Sequence, residues 1–201
     1  MITGTLEPTM TSASRLRAFT TPRRVALLAL ALLLAFGLVV GTSATPAHAW
    51  GGYTNGKIPL SKLIAIPNGY LRIDAAAGYG SMNKAFKKKF GKELGVSEGY
   101  RSYDKQVSIW NSRYVKHSKK VANSVAYAGK YWTKKKNVSV AAIPGTSVHG
   151  WALAMDLNSG VQTAGSAQKR WADKYGPKYG WKPIGNNFGE PWHFELTPVK
   201  K

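Results

Sequence analysis

Apolar side chains recur at helical spacing in three stretches of the chain. These are residues 81–90, 104–114 and 167–175. The first stretch carries Met82, Phe86 and Phe90 at steps of four, with lysines between them. Such spacing predicts amphipathic helices with one buried face. The pair Gly176-Pro177 is expected to end the third helix.

Strand-like patterns fall at residues 94–100, 152–157 and 192–196, while 116–140 has no clear pattern. A period of two puts Ala152, Ala154 and Asp156 on one strand face. It also puts His193 and Glu195 opposite the apolar residues of the last strand. Since helices come early and strands late, we expect an α+β fold. The predicted arrangement is a single domain with a central antiparallel sheet flanked by helices.

The first 49 residues have the features of an export signal. Four arginines precede an apolar run at 25–40, and Ala47-His48-Ala49 is a small-x-small cleavage site. A retained membrane span is the competing interpretation, but the run of about 16 residues is shorter than the roughly 20 that a span needs. We therefore expect cleavage after Ala49 and a secreted or wall-associated protein without a stable membrane anchor. The export route and the true start, which could be Met10, stay open.

The predicted mature chain, residues 50–201, suits one domain and is expected to be monomeric. Its glycine-rich leading segment, 50–60, is predicted to be irregular. The sequence has no cysteine, so disulfides and thiolate metal sites are excluded. Any metal must be held by His, Asp or Glu.

The chain is strongly basic, with a formal net charge of +20, and loss of four arginines and Glu7 with the signal leaves +17. Lysines cluster at 87–89, 116–120 and 134–136. This charge favours polyanions, and anionic cell-wall polymers are the expected partner of an exported protein. Nucleic acid is not expected, because no nucleic-acid-binding motif is present. For any single cluster, a solvated basic face remains an equal interpretation.

Two short segments combine histidine with a carboxylate. His149 lies seven residues before Asp156, and Glu190 lies three residues before His193. Two imidazoles and one carboxylate are a plausible catalytic zinc shell that leaves a position for water. Glu190, separated from His193 by Pro191, is placed to accept a proton from that water. A buried core histidine and a turn aspartate remain the alternatives that spacing alone leaves open.

Three motifs resemble the VanY-like D-alanyl-D-alanine carboxypeptidases, a family of zinc metallopeptidases (peptidase family M15). The segment PGTSVHGWALAMDL is similar to the family's S-x-H-x-x-G-x-A-x-D signature. EPWHFE and EGYRSYDKQ resemble its E-P-W-H and G-Y-R-S-x-x-x-Q segments. The motifs keep the family's order. Ala152 stands where the family usually has glycine, which puts in doubt how closely substrate approaches that strand.

The resemblance implies one zinc ion per chain, bound by His149, Asp156 and His193. It implies that Glu190 is the general base and that Arg101 stabilises the oxyanion or orients the substrate carbonyl. Gln106 and Ser147 are implied, more loosely, as substrate-binding groups. His117 matches no motif and is expected at the surface.

The implied function is zinc-dependent hydrolysis of peptidoglycan stem peptides, with removal of the terminal D-alanine from D-alanyl-D-alanine preferred. An endopeptidase of the same fold that cuts L-Ala-D-Glu or a cross-bridge is the close alternative. A non-catalytic wall-binding module is a third hypothesis, although it would not need a base beside the metal.

Overall fold

The computed structural model describes residues 50–197, and the predicted signal segment lies outside them. The described residues belong to one compact unit. Its helices are α1 (Ile73–Phe90), α2 (Tyr103–Arg113) and α3 (Ala167–Tyr175). Its strands are β1 (Ile64–Ile66), β2 (Gly69–Leu71), β3 (Val96–Glu98), β4 (Tyr114–His117), β5 (Val125–Tyr127), β6 (Lys130–Lys134), β7 (Ala154–Leu157), β8 (Trp181–Lys182) and β9 (His193–Leu196). Within 50–197, none of the helices combines the length and apolar character of a membrane span.

Helix α1 is longer than its apolar pattern predicts, because it begins at Ile73 instead of residue 81. Its buried side chains are Ala75, Tyr79, Met82 and Phe86, which form one continuous stripe. Gly78 lowers the intrinsic helix propensity of the first half. A side chain there would lie 2.6 Å from the Tyr179 carbonyl oxygen, so close packing explains this glycine. The helix ends as predicted, with Gly91 in the left-handed conformation.

The central sheet is antiparallel, with strand order β3-β7-β9-β8. The α+β prediction is therefore confirmed. Met155, Leu157 and Phe194 point to the main core, where they pack with the buried stripe of α1. The side chains between them point to the other face, where Asp156 lies opposite His193 in register. One face of the sheet thus builds the core and the other is free for chemistry.

The unassigned stretch 116–140 contributes most of a separate three-stranded antiparallel sheet with order β4-β6-β5. It has its own small core of Trp110, Tyr114 and Trp132. Trp110 stacks on Tyr114 with ring centroids 3.8 Å apart. The aromatic residues that hold this sheet lie among many lysines, which obscure the strand pattern in the sequence.

The prediction that a strand begins at Ala152 was wrong. A 3₁₀ turn occupies Val148–Trp151, Ala152 ends it with φ of 56°, and β7 begins only at Ala154. Ala152 instead packs with Ile58 and Leu63 in a small cluster. The turn is needed because the chain must reverse between His149 and Asp156. Alanine at this position therefore carries backbone strain that a glycine would not.

Candidate metal centre

Three side chains on different segments converge in a tight triangle. His149 comes from the 3₁₀ turn, Asp156 from β7 and His193 from β9. His149 Nε2 lies 3.2 Å from His193 Nδ1, which lies 3.0 Å from Asp156 Oδ1. The third edge, from His149 Nε2 to Asp156 Oδ1, is 3.4 Å. The structure thus brings together His149, Asp156 and His193, which lie in two separate motifs of the sequence.

The triangle has the size of one face of a tetrahedral metal site. Metal–ligand bonds of about 2.0–2.1 Å at tetrahedral angles place ligand atoms roughly 3.3 Å apart. The observed edges of 3.0–3.4 Å match this spacing. Two imidazoles and one carboxylate are a donor set that suits zinc, whereas calcium and magnesium prefer oxygen ligands. The residues present therefore fit a zinc ion with one position left open.

His149 is oriented by the backbone behind it. Its Nδ1 lies 2.7 Å from the Gly99 carbonyl oxygen, so Nδ1–H donates there and Nε2 keeps its lone pair toward the triangle. Gly150 follows, and a Cβ at this position would lie 2.0 Å from Asn55 Oδ1. Gly150 is therefore required for close packing, while the chain bends at the 3₁₀ turn and at Ala152.

His193 is oriented by a carboxylate on its own strand. Its Nε2 donates to Glu195 Oε1 at 3.0 Å, because the two side chains share one face of β9. Nδ1 is then left to face Asp156 and His149. Glu195 thus supports a tautomer of His193 that can bind a metal through Nδ1.

The triangle perturbs the pKa of its members in opposite directions. Burial disfavours the carboxylate of Asp156, but the adjacent imidazoles of His149 and His193 outweigh it and hold the pKa of Asp156 well below its usual value. Burial likewise opposes a charged His193, but hydrogen bonds to Asp156 and Glu195 raise the pKa of His193 to about 9. A metal ion must therefore displace a proton at neutral pH.

The triangle opens into a cleft of about 750 Å³. Glu190 lines this cleft together with Phe188 and Trp192, on the segment that leads into β9. The segment turns tightly at Gly185, where a Cβ would lie 2.0 Å from the Glu190 carbonyl oxygen. Glu190 also hydrogen-bonds through its backbone to Gly185 and to His193. Its backbone is thereby fixed beside His193, at the cleft wall.

Arg101 enters the same cleft from the segment between β3 and α2. Its guanidinium donates to the Glu98 carboxylate from Nε and Nη2, and Nη2 lies 3.9 Å from Asp156 Oδ2. Arg101 is thus ion-paired with Glu98. This ion pair holds Arg101 in the cleft rather than at the surface.

Gln106 and Ser147 occupy different positions relative to the cleft. Ser147 is buried and lines it. Gln106 is buried behind it, where its amide donates to Asn55 and to the Arg101 carbonyl and accepts from the Gly145 backbone. Asn55 completes the bridge by donating to the Ser147 carbonyl. The geometry gives Gln106 a role in holding the Arg101 and Ser147 segments together, while its predicted contact with substrate stays untested.

Asn55 is a site residue that sequence reasoning did not single out. A lone polar residue in an irregular segment carries no local signal of burial, and Asn55 acts through contacts 51 and 92 residues away. His117 lies apart from the metal triangle, on β4, where it hydrogen-bonds Thr133. It is partly buried rather than fully at the surface.

The arrangement defines a class before any comparison: an α+β domain with a His-Asp-His cluster that could hold a metal and a carboxylate in the same cleft, a combination typical of single-metal hydrolases. The family profile VanY, described as D-alanyl-D-alanine carboxypeptidase, matches residues 68–199. The chain belongs to this family.

The chain is similar to a D-alanyl-D-alanine carboxypeptidase of Enterococcus faecalis, with 27% identity over 114 residues that cover 52% of this chain and 40% of the relative. It is also similar to the Bacillus subtilis protein YodJ, whose carboxypeptidase assignment is itself provisional. Identity there is 31% over 146 residues, covering 65% of this chain and 48% of the relative. The chain thus spans less than half the length of these curated relatives.

Among solved structures, the chain is similar to a mutant of the vancomycin-resistance D,D-pentapeptidase VanY in complex with Zn(II). That similarity has 24% identity and a TM-score of 0.47, and covers 71% of this chain and 83% of the other.

Proposed function

We propose that this protein is a zinc-dependent peptidase that hydrolyses peptidoglycan stem peptides and preferentially removes the terminal D-alanine of D-alanyl-D-alanine. The observation that carries this proposal is the His149–Asp156–His193 triangle of zinc-site dimensions, in one cleft with Glu190 and Arg101. Membership in the VanY family supports the substrate class.

Each cleft residue has a role in the proposed reaction. When bound, zinc supplies a Lewis acid that makes a water more acidic and polarises a carbonyl. Glu190 accepts a proton from the attacking water and returns it to the amine of the departing D-alanine. Arg101 donates hydrogen bonds toward the developing negative charge on the scissile carbonyl oxygen. Glu98 holds the guanidinium in place, so that little reorganisation is needed during the reaction.

An endopeptidase that cuts within the stem or a cross-bridge is the second candidate. The size of the cleft supports this second candidate, because a volume of about 750 Å³ accommodates more than a terminal dipeptide. A non-catalytic module is less well supported, since Glu190 and Arg101 lie in the cleft beside the metal ligands.

The proposed setting is the cell wall outside the membrane, with the protein acting as a monomer. The substrate class supports this location, and the export signal predicted at residues 1–49 is consistent with it. Anionic wall polymers are proposed as an additional partner because the chain is strongly basic.

Digestion of defined muropeptides, followed by mass analysis of the fragments, tests the proposal. Free D-alanine identifies the carboxypeptidase, and a cut stem identifies the endopeptidase. Dialysis against a chelator should abolish hydrolysis, and added zinc should restore it. Hydrolysis that is indifferent to the chelator, or no hydrolysis by the zinc-loaded protein, would refute the proposed function.

A further inference from the structure

The cleft that contains the metal centre has an uneven distribution of charge. Its carboxylates lie within or close to the metal triangle: Glu98, Asp156, Glu190 and Glu195. Arg101 lies among them and is held by its contact with Glu98. Two further cations, Arg113 and Lys134, line the same cleft from the end of α2 and the end of β6. Uncharged residues 138–142 line it beside them. A bound peptide thus meets two cations away from the metal ligands.

The backbone fixes Arg113 and Lys134 beside each other. Tyr114 pairs with Lys134 in the β4–β6 ladder, and the Lys135 backbone N–H donates to the Arg113 carbonyl at 2.9 Å. Both head groups also reach the same loop. Arg113 Nη1 donates to the Val140 carbonyl at 3.0 Å, and Lys134 Nζ donates to the Val138 carbonyl at 2.8 Å. The two charges are therefore held in place before any ligand binds.

Neither cation has a carboxylate partner within residues 50–197. Both lie in the segment 105–155, which contains no Asp or Glu, and neither forms an ion pair with a described carboxylate. Arg113 uses one of its five donors on the loop, and Lys134 uses two of its three, on Val138 and Lys135. Donors remain available for an anion on the cleft side.

We propose that Arg113 and Lys134 form a carboxylate-binding subsite that positions the substrate peptide in the cleft. This inference rests on the proposed function. A stem peptide offers two sources of the carboxylate: its C-terminus and the free carboxylate of its D-glutamyl residue. Capture of the first fixes the terminal residue and directs the enzyme to the last peptide bond. Capture of the second holds the peptide by its D-glutamyl residue instead.

The test compares three forms of one stem pentapeptide: the free acid, the C-terminal amide, and the form with D-isoglutamine in place of D-glutamate. Each is measured with the zinc-loaded wild type and with Arg113→Gln and Lys134→Gln. Lys136→Gln is the matched control, because it removes the same charge from an exposed residue that does not line the cleft. Peptide affinity is also measured by calorimetry with Glu190→Gln, alone and combined with each substitution.

Arg113→Gln should raise the KM and the dissociation constant for the free acid about 10-fold, because a charge-assisted hydrogen bond is lost, while kcat changes little. Lys134→Gln should act in the same direction, and Lys136→Gln should have no effect. One of the two neutralised peptides, the C-terminal amide or the D-isoglutamine form, lacks the carboxylate that the subsite binds. With that peptide, Arg113→Gln should cause no further loss of affinity. The peptide that behaves in this way identifies which carboxylate is bound.

An equal loss on all three peptides would mean that Arg113 only supports the 138–140 loop, and no loss on any would mean that it does not contact substrate. Either result overturns the subsite. Failure of the proposed function is a separate outcome: the zinc-loaded wild type would cleave none of the peptides, while calorimetry would still report whether the cations bind a carboxylate.

Discussion

The two larger sheets of this domain differ in nearly every property that bears on function. The central sheet, β3-β7-β9-β8, is anchored to the main core on one face and presents Asp156, His193 and Glu195 on the other. The three-stranded sheet, β4-β6-β5, has a small aromatic core and carries lysines with no acidic residue. Rigid packing suits the first to metal chemistry, whereas exposure and charge suit the second to contact with anionic partners.

Metal chemistry and electrostatic recognition are thus assigned to two different sheets of one domain. Metal ligands require ångström-level precision, which a fully buried sheet face provides through its ladder and core. Electrostatic attraction tolerates looser positions, because it falls off over a Debye length of about 10 Å at 0.1 M salt.

Glu190→Gln should reduce kcat about 10³-fold, because it removes the proton acceptor while keeping the shape of the side chain. Zinc content, measured by atomic absorption, should stay at one ion per chain, since the metal ligands are intact. Lys130→Gln, on the basic sheet, is the control and should leave kcat on a short peptide unchanged. Near-normal turnover in Glu190→Gln would remove this residue from the role of base.

Zinc affinity should depend steeply on pH. The pKa of His193 is raised to about 9 in the metal-free protein, so zinc competes with a proton below that pH. The apparent affinity should rise roughly tenfold for each pH unit up to about 9, and about one proton should be released per zinc bound at pH 7. Competition with a chelating dye from pH 6.5 to 8 measures this slope. A flat profile would mean that His193 is already neutral or does not bind the metal.

Binding to an anionic wall polymer should depend on the three-stranded sheet rather than on net charge. The combined substitution of Lys116, Lys120 and Lys130 by Gln should weaken binding roughly tenfold or more, because each lysine near an anionic surface contributes up to about 1 kcal/mol. The same number of substitutions at 87–89, in the last turn of α1, is the matched control. Equal losses would show that only total charge matters. Binding that does not weaken with added salt would exclude an electrostatic origin.

Ala152→Gly should slightly stabilise the protein without changing catalysis. Alanine in the left-handed conformation is strained by about 1 kcal/mol, and the greater freedom of unfolded glycine offsets part of the gain. A net gain of about 0.5 kcal/mol corresponds to a melting temperature higher by roughly 1–2 °C. A change in KM would instead indicate that Ala152 affects the approach of substrate.

The sequence determined the elements with strong local signals. Helix α3 matches its predicted bounds because Ser166 caps it and Gly176-Pro177 ends the pattern. The face of β9 that carries His193 and Glu195 followed from simple alternation. The absence of cysteine limited the ligands to His and carboxylates, and the ordered motifs selected His149, Asp156 and His193 among them.

Only the tertiary structure decided how far apart those groups lie and what holds them. The 3.0–3.4 Å edges of the triangle depend on the register of β7 against β9 and on the turn at Ala152. The buried Asn55–Gln106 bridge and the Arg113–Lys134 pair join residues distant in sequence. Local patterns record the preferences of neighbouring residues, whereas these contacts arise from the packing of the whole chain. The sequence could therefore name the candidate metal ligands but could not give their geometry.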